Sequence, residues 1–449
     1  MKPLLFGVFE NAQANDSGTA TWRHEKNERI HFDRLDYWTN LARICEEADL
    51  DWLFLADAWG WSEIDGVRPE ICDIETLDLP RLDPAIVVAA IIHATRRLGL
   101  VITGSTFVEA PYSFARRIAT LDHLAEGRIG WNVVTTGTAE TAASAFGKSM
   151  INHDERYNMA DDFMELAYKL FESAWEFDAV ERDREGHFSN PVKVHRIEHD
   201  GPYFKCDGYG NTHYSPQGTP VIFQAGSSSR GLEFAARHGE CIFLGGGDVD
   251  YVAEQVQSIR QKAKRNGRNP NTDIKIICAI SCVVGETEEA AESRYQSILK
   301  VQRPEVAAAS YAMFTGIDLS KHSIETKMSD LQTELSQSQI QRFGEAKVGD
   351  VLKNWHANGV RPIPYVGTAE LIANALLEMA SKCDLDGFML VPVVQPLSTI
   401  EFVEQVLPLL RSEPVKPKAP LILTLRERLL GAASSVLSDS HPGAVRRGS

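Results

Sequence analysis

The feature that most constrains this chain is a repeated alternation of short apolar runs with longer amphipathic segments. Eight apolar runs have the pattern of strands, at residues 3–9, 50–56, 100–104, 129–134, 220–225, 240–244, 273–284 and 387–391. Helical patterns lie between and after them, at residues 32–48, 84–97, 112–125, 156–175, 229–238, 250–266, 287–301, 368–382 and 398–411. Nearly continuous apolar strands are typical of parallel sheets covered on both faces. Eight β–α units therefore predict an α/β fold, a TIM-type (β/α)8 barrel rather than an open sheet.

Two stretches interrupt this alternation, and a tail follows it. Residues 176–218 are polar, aromatic and glycine-rich and long enough to include a hairpin, and residues 303–364 are polar and helix-prone. We expect one barrel over residues 1–411 with these two insertions. The extension 412–449 contains a proline-rich spacer, a short amphipathic helix that could pack on the body or on another subunit, and a polar end that should be mobile.

Charge and composition exclude several classes of protein. The formal net charge is −16, whereas nucleic acids and anionic membrane surfaces require a basic face. No apolar run approaches the roughly 20 residues of a membrane span, and the N-terminus has no segment of signal-peptide type. We expect a cytoplasmic enzyme that binds neither nucleic acid nor membrane.

The cysteines are expected to be reduced. Their number is odd, seven, and none forms a C-x-x-C pair. Cys278 and Cys282 lie in one predicted strand, where positions i and i+4 are about 13 Å apart, too far for a disulfide.

The stretch 127–157 carries polar groups in unexpected places. Asn132 interrupts the fourth apolar strand, and a buried asparagine must find partners for both ends of its amide. His153 and Tyr157 follow at the start of a helix, four positions apart and so on one helical face. Asp57 ends the second strand and Ser105 follows the third. Because a barrel keeps its site at the carboxyl ends of its strands, these residues predict one site.

The segment after the fifth strand has the pattern of an anion site. Gly226 permits a tight turn, and Ser227, Ser228 and Ser229 then offer hydroxyls and free backbone N–H groups at a helix N-terminus, beside Arg230. An ordinary serine N-cap is the alternative interpretation. The neighbouring polar strand ends favour phosphate binding. No G-x-G-x-x-G follows any strand, which disfavours a Rossmann dinucleotide site.

A metal site is not expected. His195 and His199 have H-x-x-x-H spacing but lie in the first insertion, outside an H-E-x-x-H motif and without paired cysteines. We interpret both as solvated surface residues.

Several long segments resemble one enzyme family. They are LFLAD, ARRIATLDHLAEGRIGWNVVT, HDERY, SPQGTPVIFQAGSSSRG, TGID, DGFML, FVEQVLPLLR and TLRERL. The chain is similar over nearly its whole length to the luciferase-like, FMN-dependent two-component monooxygenases. Within them it is most similar to the branch of nitrilotriacetate, EDTA, dibenzothiophene sulfone and dimethyl sulfide monooxygenases.

The resemblance implies a luciferase-like TIM barrel that binds reduced FMN, supplied by a separate NAD(P)H:flavin reductase, and uses O₂ to oxygenate a small molecule. It also implies a homodimer or homotetramer, and a non-proline cis peptide near Gly104 and Ser105. Carried over by motif, the flavin-lining residues are Asp57, Ser105, Asn132, His153, Tyr157, Ser227 and Ser228. Ser227 and Ser228 would hold the phosphate. His153 and Tyr157 would be catalytic, handling a proton or hydrogen-bonding an oxygen species.

The substrate is less constrained. The segments GTATWRH and LDYWTNLA resemble the members that oxidise dimethyl sulfide, which favours an organosulfur substrate and C–S cleavage. The segment GYGNTHY departs from many relatives, so an amine or aminopolycarboxylate with C–N cleavage stays open. Deazaflavin-dependent hydride transfer and a non-catalytic flavin-binding protein are further alternatives.

Overall fold

Eight parallel strands close into a barrel. The computed structural model describes residues 2–16, 18–64, 66–136, 139–226, 228–331, 343–411, 423–431 and 434–447. Within these ranges the strands are β1 Leu5–Asn11, β2 Trp52–Ala56, β3 Gly99–Ser105, β4 Ile129–Val134, β5 Arg196–Asp200, β6 Lys205–Tyr209, β7 Val221–Ala225, β8 Cys241–Leu244, β9 Lys275–Ile280, β10 Cys282–Val284, β11 Tyr365–Gly367 and β12 Gly387–Leu390. The barrel order is β1-β12-β9-β8-β7-β4-β3-β2, and every neighbouring pair is parallel. The predicted TIM-type barrel is confirmed.

Helices cover the outside of the barrel. They are α1 Leu35–Glu47, α2 Glu70–Ile74, α3 Pro84–Ile91, α4 Pro111–Leu124, α5 Ala139–Ala145, α6 His153–Tyr168, α7 Ser229–His238, α8 Val249–Arg265, α9 Glu288–Lys300, α10 Glu305–Thr315, α11 Val348–Asn358, α12 Ala369–Cys383, α13 Leu397–Glu401, α14 Leu407–Leu410 and α15 Leu425–Leu430. One π-helical turn, Lys169–Ser173, extends α6, and another, Phe402–Val406, joins α13 to α14.

The barrel interior is filled by side chains. Trp52, Phe54 and Phe223 belong to the inner cluster, where the rings of Phe54 and Phe223 meet edge to face at 6.2 Å. Their strand neighbours Leu53 and Leu55 point the other way and pack with the helices. The strands are apolar on both faces for this reason. A ligand can therefore enter only at an end of the barrel.

Helix α15 closes the N-terminal end of the barrel. Thr424 begins the helix with a capping box to Glu427, and Leu425 and Leu429 join the inner cluster. Arg426 is fully buried and pairs with Glu240, with 2.7 Å between Nε and Oε1. Since this end is closed, a site must lie at the carboxyl ends of the strands.

The tail packs more closely on the barrel than its sequence predicts. The helix packs on the barrel of its own chain, the first of the two alternatives that its sequence leaves open. The polar end, expected to be mobile, buries Leu437 and His441, whose Nε2 lies 2.9 Å from the carbonyl oxygen of His238. The predicted proline-rich spacer, residues 412–420, and the first two residues of the predicted helix, 421 and 422, lie outside the described residues.

The predicted seventh strand, 273–284, is in fact two strands. Strand β9 ends at Ile280, and the next residue, Ser281, donates its hydroxyl to the Val391 carbonyl at 2.7 Å. The backbone N–H of Tyr365 donates to the Ser281 carbonyl at 2.8 Å, and β10 then pairs with β11 rather than with the barrel. The second insertion is thereby anchored to the barrel rim. In the first insertion, β5 and β6 form the expected hairpin, with antiparallel pairing.

All seven cysteines are free thiols, as predicted. None of the helices in the described ranges combines the length and apolar character that a bilayer-spanning segment requires.

Candidate functional site

A chain of hydrogen bonds crosses the carboxyl ends of β2, β3 and β4. Asn132 and Thr103 are register partners, and Asn132 Nδ2 donates to Thr103 Oγ1 at 3.0 Å. Thr103 in turn donates to the Leu55 carbonyl at 3.0 Å. The other end of the amide, Asn132 Oδ1, is buried and accepts no hydrogen bond from the described residues. Because buried acceptors are normally paired, this oxygen indicates a donor on a ligand.

The Ser105 hydroxyl shapes the loop after β3. Its Oγ lies 2.5 Å from Thr136 Oγ1 and accepts hydrogen bonds from the backbone N–H groups of Phe107 and Val108. Ser105 is fully buried. Its hydroxyl is thus already engaged within the protein, and an effect on a ligand would pass through the loop that it holds.

The peptide bond between Gly104 and Ser105 is not cis. Within the described residues, both cis bonds precede proline, at Leu79–Pro80 and Gln395–Pro396, so the predicted non-proline cis peptide is wrong. Strand β3 continues regularly through Ser105, paired with β4. The glycine is required for packing instead, because a Cβ at Gly104 would lie 2.4 Å from Phe114 Cε2.

Asp57 follows β2 at the same end of the barrel. Burial raises the pKa of its carboxyl to about 7, and the Arg81 charge, with Nη1 3.8 Å from Oδ1, offsets only part of that rise. Arg81 is held in place by two hydrogen bonds to Gln13 Oε1 and one to the Ala58 carbonyl. Asp57 Oδ1 accepts the Ala58 N–H at 2.8 Å. The strand end therefore carries a carboxyl group that titrates near neutral pH.

The anion cradle predicted after the fifth strand forms at the start of α7. Ser228 is the N-cap, and its Oγ accepts the Gly231 N–H at 3.0 Å. Gly226 and Gly231 pass so closely that a Cβ on Gly226 would lie 2.9 Å from the Gly231 carbonyl carbon. Ser227 lies outside the described residues. The ordinary N-cap and the phosphate cradle coexist here, since the cap uses only one of the orphan N–H groups.

His153 and Tyr157 lie on one face of α6, as predicted, and face this cradle. Their rings meet edge to face at 5.2 Å, and His153 Nε2 lies 3.4 Å from Ser228 Oγ. Asp154 fixes the ring from the other side, 2.8 Å from Nδ1. Burial raises the pKa of the Tyr157 hydroxyl, although Ser228 nearby lowers it in part. The structure thus brings together three of the residues predicted to line the site.

Two residues of this region could not be predicted from the sequence. Thr103 links Asn132 to the backbone of β2, but a threonine in an apolar strand is an ordinary strand residue and gave no signal. Arg81 lies in a loop 24 positions after Asp57, and only the fold brings the two together.

The histidines of the first insertion are not both solvated. His195 is half-buried and pairs with Glu176 at 2.8 Å. His199, expected at the surface, is buried on β5 with Nε2 2.9 Å from Asp162 Oδ1. The amphipathic hairpin turns this position inward, which corrects the prediction. Across the described ranges, no group of three or more His, Cys, Asp or Glu side chains could hold a metal ion.

A cavity of about 700 Å³ lies beside the carboxyl ends of β8 and β9. Gly246 and Ala279 line it on the barrel side, and Asn354 and Pro362 line it from the second insertion. Its volume lies within the range of roughly 300–1,000 Å³ that is usual for small-molecule sites.

The site's residues fit a flavin mononucleotide. The glycine approach at Gly226 and Gly231 leaves no room for a side chain, and the α7 N-terminus with Ser228 suits a phosphate. The unpaired Asn132 Oδ1 at the barrel mouth suits a donor group such as a flavin ring N–H. The fold and site together define a flavin-binding TIM-barrel enzyme.

Comparison with known proteins names the family. The sequence model of the luciferase-like monooxygenase family matches residues 2–382, and the chain belongs to that family. It is 38% identical over 449 residues to the long-chain alkane monooxygenase of Geobacillus thermodenitrificans, covering 99% of this chain and 98% of that protein. It is 33% identical to the dimethyl-sulfide monooxygenase of Hyphomicrobium sulfonivorans, covering 99% and 94%.

A solved structure is more similar still. It is described as riboflavin lyase with modified FMN and substrate riboflavin. It is 62% identical to this chain, with a TM-score of 0.96 and 100% of both chains covered. The chain is thus an FMN-dependent monooxygenase, and when bound, reduced FMN supplies the electrons that let O₂ oxygenate a substrate. The protein's own residues would bury, orient and hydrogen-bond the flavin and exclude water from it.

Proposed function

We propose that this enzyme uses reduced FMN and O₂ to cleave riboflavin between its ring system and its sugar chain. The observation that carries this proposal is the 62% identity, over 100% of both chains, to the riboflavin lyase structure. The lower identities to the alkane and dimethyl-sulfide monooxygenases, 38% and 33%, support those substrates less. Cleavage of riboflavin would break a C–N bond, although riboflavin is neither of the C–N substrates, an amine or an aminopolycarboxylate, that the sequence leaves open.

The proposed reaction balances as an oxygenation followed by an elimination. One oxygen atom of O₂ enters the C–H bond of the sugar carbon attached to the ring nitrogen, and the other leaves as water with two electrons and two protons from reduced FMN. The resulting hydroxyl carbon then loses its O–H proton, and the C–N electron pair passes to the nitrogen, which gains a proton. The products are the dealkylated ring system and a sugar aldehyde.

The cavity beside β8 and β9 supports a second ligand next to the flavin. Asn354, Tyr365 and Gln255 offer polar groups among apolar lining residues, a mixture that suits a ring with a hydroxylated chain. Gln255 Oε1 is buried and accepts no hydrogen bond from the described residues.

The role of His153 and Tyr157 follows from their place. The family resemblance implies that they handle a proton or hydrogen-bond an oxygen species, but both side chains lie against Ser228 at the α7 N-terminus. We infer that they hold the FMN phosphate, with catalysis a smaller part of their role. Asp57, whose carboxyl titrates near neutral pH, is better suited to proton transfer at this end of the barrel.

Two partners complete the proposal. Reduced FMN would come from a separate NAD(P)H:flavin reductase, in keeping with the family resemblance. The chain would also form a homodimer or homotetramer, and three exposed apolar side chains of the first insertion, Phe177, Phe188 and Val192, support an interface there.

The test is a coupled assay with an NADH-driven flavin reductase, catalytic FMN, O₂ and excess riboflavin, followed by mass spectrometry. We expect loss of riboflavin and one equivalent each of free ring and sugar aldehyde. An organosulfur substrate is the second candidate, favoured by the GTATWRH and LDYWTNLA segments and the dimethyl-sulfide relative. Turnover of sulfides or sulfones with riboflavin untouched would overturn the riboflavin proposal in favour of that candidate.

A further inference from the structure

We propose that Arg230, oriented by Asp161, recognises the terminal phosphate of FMN and makes the cofactor site prefer FMN to riboflavin. The proposal rests on FMN being the cofactor and does not depend on which substrate is oxygenated. An enzyme that consumed riboflavin would need this selectivity most, because cofactor and substrate would share one ring system.

Arg230 lies at the anion cradle. It is the second residue of α7, two positions after the N-cap Ser228. Its guanidinium carbon is 5.5 Å from the centroid of the Tyr157 ring. The hydroxyl of that ring lies at the start of the helix, 2.7 Å from where a Cβ on Gly231 would be. Arg230 and the Tyr157 hydroxyl therefore both lie at the N-terminal turn of α7.

The Arg230 guanidinium is hydrogen-bonded within the protein through one of its three nitrogens. Its Nη2 is 2.5 Å from Asp161 Oδ2 and 3.4 Å from Asn158 Oδ1. Within the described residues, Nε and Nη1 of Arg230 donate to no acceptor in the protein. A planar fork fixed at one nitrogen and open at the others is the arrangement that binds phosphate oxygens with defined geometry.

Asp161 is itself positioned by a hydrogen bond from His238. Its Oδ1 is 2.9 Å from His238 Nε2, and the Tyr168 hydroxyl is 3.0 Å from His238 Nδ1. Burial lowers the pKa of His238 more than Asp161 raises it, so the imidazole is neutral near pH 7. Tyr168 then donates to Nδ1, and Nε2–H donates to Asp161.

Asp161 therefore carries a negative charge beside Arg230. Burial raises the pKa of Asp161, but the hydrogen bond from His238 and the Arg230 charge outweigh that effect, and the pKa stays below its usual value. A carboxylate with a lowered pKa fixes the guanidinium in one orientation. Riboflavin ends in a hydroxyl where FMN carries a phosphate, so only FMN gains from this group.

The experiment compares two flavins in four proteins. Reduced FMN and reduced riboflavin are titrated without oxygen into the full-length wild type and into Arg230→Gln, Asp161→Asn and Arg237→Gln. Arg237 is the matched control. It lies on the same helix, with Nη1 3.5 Å from Asp161 Oδ1, but about two helical turns farther from the cradle, and its side chain is exposed. The readouts are the two dissociation constants and the melting temperature of the flavin-free protein.

We expect Arg230→Gln to weaken FMN binding roughly 10- to 100-fold, as loss of a charge-assisted hydrogen bond does. Asp161→Asn should weaken it roughly three- to tenfold, since the guanidinium remains but loses its fixed orientation. Riboflavin binding should stay within about twofold in both variants, and Arg237→Gln should leave both flavins unchanged.

Three results would overturn the proposal. If Arg230→Gln weakened the binding of both flavins equally, Arg230 would have only a structural role. If it left FMN binding unchanged, Arg230 would have no role in binding the phosphate. Tighter FMN binding in Asp161→Asn would show that the carboxylate opposes the phosphate rather than serving it. If riboflavin is not consumed in the coupled assay but FMN selectivity depends on Arg230 as expected, only the substrate proposal fails.

Discussion

Two buried polar groups, Asn132 Oδ1 and the Asp57 carboxyl, give the strongest indication of what this site binds. Asn132 Oδ1 and Asp57 are both polar groups at the barrel mouth whose surroundings within the protein leave them incompletely satisfied. A buried unpaired acceptor costs about 1–3 kcal/mol, and a buried carboxyl prefers to be neutral. Such costs persist in a protein when a ligand or a reaction uses the group.

Asp57 should make the stability of the flavin-free protein depend on pH. Its pKa is about 7 in the fold, whereas an unfolded aspartate titrates at about 3.9. The folded state therefore holds more protons between these values, so the free energy of unfolding falls as pH rises through this window and levels off above about 7. The slope from this one group approaches 1.4 kcal/mol per pH unit at most.

Denaturant unfolding at pH 5, 6, 7 and 8 of the wild type and of Asp57→Asn measures this effect. We expect the variant to gain stability relative to the wild type from pH 5 to 7, with only a small further gain at pH 8. A difference that does not change with pH would show that Asp57 titrates normally. Asp33→Asn, at an exposed residue before α1, controls for general charge effects.

At the scale of elements, the α6–α7 contact decides the shape of the phosphate end. A Cβ on Gly231 would lie 2.7 Å from the Tyr157 hydroxyl and 3.0 Å from Ser228 Oγ. We expect Gly231→Ala to displace both groups, to weaken FMN binding at least tenfold and to destabilise the protein by about 1–3 kcal/mol. Gly245→Ala is the matched control, since a Cβ there meets nothing within 4 Å. Equal FMN affinities in the two variants would contradict the placement of the phosphate.

The floor helix α15 is tied to the barrel by a buried ion pair. Arg426 donates to both carboxylate oxygens of Glu240 and to the carbonyls of Gln217 and Thr219. Arg426→Met would leave Glu240 buried without its cation, which costs about 3–5 kcal/mol. Thermal and denaturant unfolding measure the loss.

A second variant separates the charge from the packing. Adding Glu240→Gln to Arg426→Met removes the unpaired charge and should recover part of the lost stability. No recovery would mean that packing of the arginine stem, and not its charge, holds the helix in place.

For the whole molecule, the sequence predicts what depends on local pattern and misses what depends on distant contacts. Apolar runs determined all eight barrel strands, and β4 begins and ends where predicted. Ser281 separates β9 from β10 through a partner 84 positions away, Tyr365, which no local pattern contains. The site shows the same division: His153 and Tyr157 share a helical face by spacing, whereas Arg81 reaches Asp57 only through the fold.

The proposed subunit contact involves Phe177, Phe188 and Val192, whose side chains are 78%, 69% and 80% exposed. Backbone bonds from Glu176 to the Lys193 carbonyl and from Glu181 to the Phe188 carbonyl place the three on one ribbon. Large apolar side chains grouped at a surface typically mark a subunit contact. Phe177→Ser with Phe188→Ser should therefore shift the protein from dimer or tetramer toward monomer in light scattering, with the melting temperature of the barrel changed little. Ile324→Ser, at a similarly exposed residue of the second insertion, is the control and should leave the mass unchanged. An oligomer that survives the double substitution would place the interface elsewhere on the barrel.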